Sequence, residues 1–523
     1  MTTSDRASTL SATDSASGPQ NETADTTADG QRPGEAPANE NRSTTPKSDA
    51  FRAQIMRGWA DREEPLPAAR VSVPTASAHR EAISARHRGA RLVIPAGGLK
   101  QRSNDTDYRF RAHSAFSQLT GWGSDAEPGA VLVLDPIDDG HEATVYFRER
   151  AGRDSDEFYA NSEIGEFWIG PRPSLAQTAA DLDVAARDLA EFSELGLVTD
   201  ARTLLLREAD AGLTERVDEA RRTMSLPNAE FDALLADDAL LAQDLSELRL
   251  VKDAYEIGQM REAVAATAAG FDDIVASLAR ASEHARGERI VEGVFQARAR
   301  LEGNDVGYDT IAASGSHACI LHWTKNSGAV NPGELILVDA GVEVDSLFTA
   351  DITRTIPVTG RFTEEQRLVY EIVLEAADAA LAIVRPGITF RTIHDTAMEV
   401  IAKRTQELGM PLGLGEADPA EQHYRRYMVH GTSHHLGIDV HDCAKARREL
   451  YLDGVLEAGM IFTIEPGLYL QPDDLTVPEH LRGIGVRIED DILVTADGAE
   501  NLSLGIPRTV ADVESWFARL NAS

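Results

Sequence analysis

The 523-residue sequence predicts an α/β (α+β) protein of two domains behind a long polar tail. Three observations carry that reading. Residues 1–50 are rich in Ser, Thr, Ala, Asp and Pro and nearly free of large apolar side chains. Residues 56–245 mix strand-like runs with Ala- and Leu-rich helical stretches. From residue 246 onward, an order of helix, helix and strands occurs twice.

A chain as polar as the tail cannot bury enough surface to offset its ordering entropy, so residues 1–50 read as disordered. In residues 56–245, "GAVLVLDP" and "ATVYF" read as strands, and "ADLDVAARDLAEF" and "NAEFDALLADDALLAQDL" as acidic helices. No chemical cluster stands out there, which gives this domain a supporting role. Beyond residue 246, Ile257, Met260, Val264, Phe271, Ile274 and Leu278 recur at three, four or seven residues, the stripe of an amphipathic helix. A second helix is expected over 287–302, followed by strands in "YDTIAA", "ELILVDAG" and "DITRTIPV". Thr363 and Gln366 form a capping box opening a helix that stops at "RPG", another helix spans about 389–409, and strands follow. The repeated order predicts two related halves packed around one sheet.

Acidic residues outnumber basic ones 86 to 51, a net charge of −35. Nucleic acid and anionic membranes attract positive potential, so neither is expected as a partner. No run of about 18 apolar residues and no secretory h-region is present, and two cysteines cannot make a disulfide framework. A cytoplasmic location is the simplest expectation.

The C-terminal strands carry charge where a structural strand would carry none. "ELILVDAG" runs into Asp339, Asp351 precedes "ITRTIPV", "MIFTIEPGLYL" embeds Glu465, and "GIGVRIEDDILV" carries Arg487 and Glu489. Each has a plain alternative when taken singly. Asp339 suits a turn, Arg487 and Glu489 suit a cross-strand ion pair, Glu465 suits a bend before proline, and His322 in "ILHWT" suits a core histidine. Together they ask for a shared compensating charge, because buried unpaired carboxylates cost several kcal/mol each, on the order of the penalty for any buried ion. Hard carboxylates with an imidazole suit manganese, cobalt or zinc, and a set this large suits two ions.

The imidazole comes from "YMVHGTSHHLGIDVHD", which holds His430, His434, His435 and His441. Side chains alternate faces in an extended chain, so His434 and His435 cannot both reach one cluster, whereas His430 and His434 share a face. His441 has the wrong parity for an unbroken strand, which places a bend at Gly437.

The segments "ILHWTKN", "LVDAG", "DITRTIPVTG", "HGTSHHLGIDVHD", "TIEPGLY" and "GIGVRIEDD" resemble aminopeptidase P, the Xaa-Pro aminopeptidases of the pita-bread metallopeptidase family. The resemblance is strong over 246–505. It extends weakly to "DYRFRAHSAFSQLTGW", similar to the family's "YRQNSDFWYFTGF"-like element. It implies a creatinase-like N-terminal domain over 56–245 and a pita-bread catalytic domain over 246–523. The implied activity is hydrolysis between an N-terminal residue and a following proline by a hydroxide activated between two divalent ions, usually Mn2+, with Co2+ or Zn2+ possible. By resemblance, Asp339, Asp351, His434, Glu465 and Glu489 hold the ions, with Asp351 and Glu489 bridging. His322, His430 and His441 contact substrate and the tetrahedral intermediate, Arg487 supports the site, Tyr469 lines it, and Glu465 shuttles protons. The implied partners are peptides with proline second and further copies of the chain, as a dimer or tetramer.

Three departures stand out. Asp339 and Asp351 are twelve positions apart, one more than the family's spacing, with the extra residue assigned to the turn in "VEVDSLF". The family's tryptophan falls on Ser117 and its aspartate on Ala115, which bears on peptide length. The third departure is the tail. A prolidase, acting only on dipeptides, and a metal-free binding protein on the same fold are the rival readings.

Overall fold

The computed structural model describes residues 46, 48–104, 106–196, 202–224, 226–410 and 422–522. The chain divides into two compact units, 1–57 and 58–523. In the first unit, helix α1 (Asp49–Ile55) begins where the Ser48 hydroxyl accepts the Phe51 N–H at 3.2 Å. Apart from its last few residues, the tail expected over 1–50 lies outside the described residues.

The second unit runs without a break from residue 58 through the stretches expected as two domains, 56–245 and 246–523. Its N-terminal part carries α2 (Val73–Arg86), β1 (Arg91–Pro95), α3 (Ser114–Thr120), β2 (Val131–Ile137), β3 (Gly140–Phe147), α4 (Leu175–Leu182), β4 (Ala185–Asp188), α5 (Leu189–Glu194), β5 (Thr203–Leu205) and α6 (Asn228–Leu248). The strands form one mixed sheet in the order β4-β3-β2-β1-β5. Alternation gives the sheet two apolar faces. Leu92, Ile94, Leu132 and Leu134 join one core with Phe116, Trp122 and Phe147, while Val93, Val131 and Val133 join another with Tyr146 and Phe192. Over 180–192 the structure differs from the expected single helix. Asp183 adopts a left-handed conformation that ends α4, and Ala185–Asp188 pairs in parallel with β3 before α5 begins. The free edge of β3 offers these residues ladder hydrogen bonds, and that overrides their helical composition.

The C-terminal part follows the expected order. Helix α7 (Ala254–Ser282) is opened by a capping box between Asp253 and Glu256, and it buries Met260, Val264, Phe271, Ile274 and Leu278. Helix α8 (Gly287–Glu302) precedes β6 (Ile311–Ser314), β7 (Leu335–Ala340) and β8 (Ile352–Pro357). Helix α9 (Glu364–Ile383) starts at the Thr363/Gln366 capping box and α10 (Arg391–Glu407) follows. Then come β9 (Ile461–Ile464), β10 (Gly467–Tyr469), β11 (Gly485–Arg487), β12 (Asp490–Val494), β13 (Ala499–Asn501) and α11 (Val510–Leu520). The expected single sheet is instead two three-stranded sheets, β8-β7-β6 and β9-β12-β13, with β10 and β11 as a separate pair. Side chains interrupt the seam between the halves. The Glu489 N–H donates to the Thr353 carbonyl at 3.1 Å, but the Thr355 hydroxyl replaces a backbone partner by donating to the Arg487 carbonyl at 2.9 Å. No described helix is long and apolar enough to cross a membrane.

Candidate metal centre

Short strands bring the charged residues to this seam. Asp339, near the end of β7, sits opposite Thr353 of β8 and Ile311 of β6. Asp351 immediately precedes β8. Between them the chain reverses at 344–348, where Leu347 takes a positive φ and donates to the Val344 carbonyl at 2.8 Å.

The histidine segment runs antiparallel to β9. His435 bridges to Phe462, the Thr463 N–H donates to the His434 carbonyl at 2.9 Å, and the Glu465 N–H donates to the Thr432 carbonyl at 2.9 Å. Alternation then turns the two neighbouring rings apart. His434 faces the acids, whereas His435 is buried against Phe390, with ring centroids 4.6 Å apart, and against Tyr451 at 4.7 Å. Neither ring nitrogen of His435 meets hydrogen-bond geometry with a partner among the described residues, although the Ile461 backbone lies close to the ring. The chain bends after Leu436, closed by Gly437 N–H to the Asp439 carbonyl at 3.2 Å and Asp442 N–H to the His435 carbonyl at 2.9 Å. Gly437 is needed there for space: a Cβ would lie 2.4 Å from Asp442 Oδ2.

Asp351, His434 and Glu489 each bring one donor atom into a group spanning no more than 4.8 Å. His434 Nε2 lies 3.2 Å from Asp351 Oδ2 and 3.8 Å from Glu465 Oε1. Its Nδ1 is 3.2 Å from the His435 carbonyl, which can only accept, so Nδ1 carries a proton and Nε2 faces the cluster. Asp339 is held by Arg487 Nη2 at 2.5 Å. Burial pushes the Glu465 carboxyl up to about 8, and burial with the neighbouring Asp351 pushes Glu489 well above the carboxylate range. Asp339 is raised by burial against the opposing pull of Arg487. For His434 burial opposes the charge, but Asp351 and Glu465 outweigh it and raise the ring to about 9. Protein cations alone therefore do not balance these acids. Several hard oxygens around one imidazole, short of positive charge, fit divalent metal ions.

The remaining expected residues fall into two groups. His430 is tied down. Its Nδ1 donates to the Gly431 carbonyl at 2.6 Å, which leaves Nε2 to accept from the Tyr469 hydroxyl at 2.7 Å, and that hydroxyl accepts from Arg487 Nη1 at 3.1 Å. Burial, with Arg487 nearby, drops this imidazole to about 3, so it is neutral. Tyr469 is itself buried, and it acts as the link in this chain. His322 and His441 are exposed and make no side-chain hydrogen bond among the described residues. The His441 ring stands perpendicular to that of His434, 4.5 Å away.

Sequence reading missed four residues that organise the site. The Tyr308 hydroxyl lies 2.7 Å from Asp339 Oδ1 and 2.5 Å from Asp351 Oδ1. The Thr353 hydroxyl accepts from Arg487 Nε at 3.0 Å and donates to Glu489 Oε2 at 2.6 Å. Asp491 is fully buried and accepts the Asp351 N–H at 3.3 Å. Glu288 accepts from Ser314 N, Trp323 Nε1 and Gly328 N and pairs with His317 at 2.7 Å, so it pins the loop that carries His322. For Asp491 a signal was present, since in "EDD" alternation puts it on the face of Glu489 while Asp490 points to Arg354 at 2.7 Å.

Residues 258–496 match the family model of metallopeptidase family M24, and residues 76–202 match that of the aminopeptidase P N-terminal domain. Over 487 residues the chain is 49% identical to Xaa-Pro aminopeptidase 2 of Streptomyces coelicolor, covering 91% of this chain and 98% of that protein. The chain belongs to metallopeptidase family M24. Within M24 it is also 32% identical to the Xaa-Pro aminopeptidase of Escherichia coli, over 82% of this chain and 93% of that protein. The fold matches an aminopeptidase from Pseudomonas aeruginosa with a TM-score of 0.72 at 32% identity, over 87% of this chain and 100% of that one. It also matches zinc-substituted aminopeptidase P of E. coli in complex with product, with a TM-score of 0.73 at 29% identity, over 86% and 99%.

Proposed function

We propose that this chain is a metalloaminopeptidase that hydrolyses the bond between an N-terminal residue and a following proline. Asp339, Asp351, His434, Glu465 and Glu489 would hold two divalent cations. The observation that carries this reading is the convergence of Asp351, His434 and Glu489 donors among buried carboxylates that lack enough protein charge to balance them. The near-full-length relatives named Xaa-Pro aminopeptidase support the reaction and do not favour the dipeptide-restricted prolidase.

When bound, such a cation pair supplies an activated water and Lewis acidity at the scissile carbonyl. The residues supply the rest. A prolyl amide nitrogen carries no hydrogen and must be protonated to leave. Glu465, 3.8 Å from His434 Nε2 within the cluster, would be the residue that carries a proton to the prolyl nitrogen. The exposed rings of His322 and His441 are free to contact substrate and stabilise the carbonyl oxygen as charge develops. Arg487 fixes Asp339 directly, and through Tyr469 it fixes the neutral His430.

Manganese is the proposed metal, and the donor set also accepts cobalt or zinc. A cytoplasmic location is supported by the two free, buried cysteines, Cys319 and Cys443, and a homo-oligomer by the family resemblance. The test is cleavage of a tripeptide with proline second against the same peptide with alanine there, and against the Xaa-Pro dipeptide. Preference for the prolyl tripeptide is the expected result. Equal rates on proline and alanine would refute the reading, and activity on the dipeptide alone would make the chain a prolidase.

A further inference from the structure

We infer that Arg111, in the N-terminal domain, is a positioning residue for His441. The inference rests on the reading of the site given above. Arg111 lies just before α3, and its guanidinium reaches the catalytic domain at two places. Nε donates to Glu343 Oε2 at 2.6 Å, while Nη2 donates to the Ile438 carbonyl at 2.6 Å and lies 3.3 Å from Asp439 Oδ1. Ser114, the first residue of α3, donates its hydroxyl to Asp439 Oδ1 at 2.5 Å and accepts Arg111 Nη1 at 3.3 Å.

Ile438 and Asp439 form the bend between His434 and His441. Glu343 is buried a few residues past Asp339 and is also held by Asn304 Nδ2 at 2.8 Å. One arginine thus ties the stretch after β7, which delivers Asp339, to the bend that delivers His441. From the catalytic domain's own side the bend is held at Asp442, by Arg249 Nε at 2.6 Å, and at Gly437, whose carbonyl accepts the Thr349 N–H at 2.9 Å. Between those anchors, among the described residues, the side-chain hydrogen bonds to 438–439 come from the N-terminal domain, and the catalytic domain's Arg249 reaches Asp439 only at 3.9 Å. The His441 ring makes no hydrogen bond of its own among the described residues, so its place 4.5 Å from His434 is set by the backbone that leads to it. Displacing a catalytic group by about 1 Å can cost on the order of 100-fold in rate.

A simpler role for Arg111 would be to neutralise Glu343, and the test separates the two. Arg111→Met, the double variant Arg111→Met/Glu343→Gln, and Ser114→Ala are compared with wild type on a tripeptide with proline second. Metal content, melting temperature and crystal structure are followed in parallel. The double variant removes the unpaired carboxylate, so if positioning is the role it keeps its melting temperature and metal yet loses about tenfold or more in kcat. In its crystal structure the His441 ring has moved from His434. Ser114→Ala, which leaves Glu343 paired, loses about threefold and decides the matter if Arg111→Met does not fold. A double variant with wild-type kcat and an unmoved His441 overturns the inference and leaves Arg111 as a counter-ion. Should the wild type cleave no prolyl peptide, the proposed function fails, and the position of His441 in the variant structures still decides this inference.

Discussion

Two buried charge clusters lie on either side of the segment 434–442, and they are built on opposite terms. On one side Asp339, Asp351, Glu465, Glu489 and Asp491 face Arg487 and His434, and Asp339, Glu465, Glu489 and Asp491 are raised above their ordinary range, with burial the largest cause. On the other side the buried Asp442 faces Arg249 and Lys252. There Arg249 and Lys252 outweigh burial and hold Asp442 below the usual carboxylate value. Buried ions are tolerated when matched. The matched cluster is therefore structural, fastening the bend to the rest of the fold, and the unmatched one is where an external cation belongs. Burial alone does not mark a functional acid; a deficit of partners does.

The comparison breaks most decisively at the unmatched cluster. Asp351→Asn and Glu489→Gln are each expected to lose bound metal and cleavage to background with circular dichroism unchanged, because an amide cannot supply the missing negative ligand. An active, metal-loaded variant would remove that residue from the site. Asp442→Asn gives the converse result. It leaves Arg249 and Lys252 short of a buried partner, so it should cost about 3 kcal/mol of stability in denaturant titration, with metal per folded molecule unchanged.

His435→Ala sharpens the contrast within two adjacent residues. Sequence parity makes His435 a bystander in the chemistry, but its burial among Phe390, Tyr451 and Phe462 means that truncation should cost about 2–4 kcal/mol. His435→Phe should recover most of that loss, since the ring packs chiefly against aromatic faces. His434→Ala should instead strip the metal. If His435→Phe strips metal as well, the two faces are not independent.

The smallest effect is a pH dependence. In chelator-treated protein, Glu465 rises from 4.5 to about 8 on folding, so its stabilising contribution fades as pH climbs between those values. His434 rises from 6.5 to about 9, so its contribution is complete below 6.5 and lost through 9. His430, lowered to about 3, acts in the opposite direction but is spent by pH 6.5. The melting temperature should therefore fall from about pH 6.5 to 9, and added Mn2+ should flatten the fall. A flat profile without metal would mean that the acids are already balanced.

Local pattern was enough for much of this protein. The stripe of α7, the capping box at Thr363, and the alternation that turns His434 from His435 are short-range properties, set by helical or strand periods that a few neighbouring residues display. The acids at strand ends were also legible, because a carboxylate in an apolar run is conspicuous wherever it folds. Tertiary structure alone decided the rest. Ala185–Asp188 left its helical composition because the edge of β3 offered a ladder. Tyr308 is an ordinary tyrosine until β6, β7 and β8 bring it between Asp339 and Asp351. Arg111 meets Ile438 across 327 positions, and Thr353 meets Glu489 across 136. Such partners share no period or motif, because the distance between them is set by how packed elements stack and not by the chain that separates them.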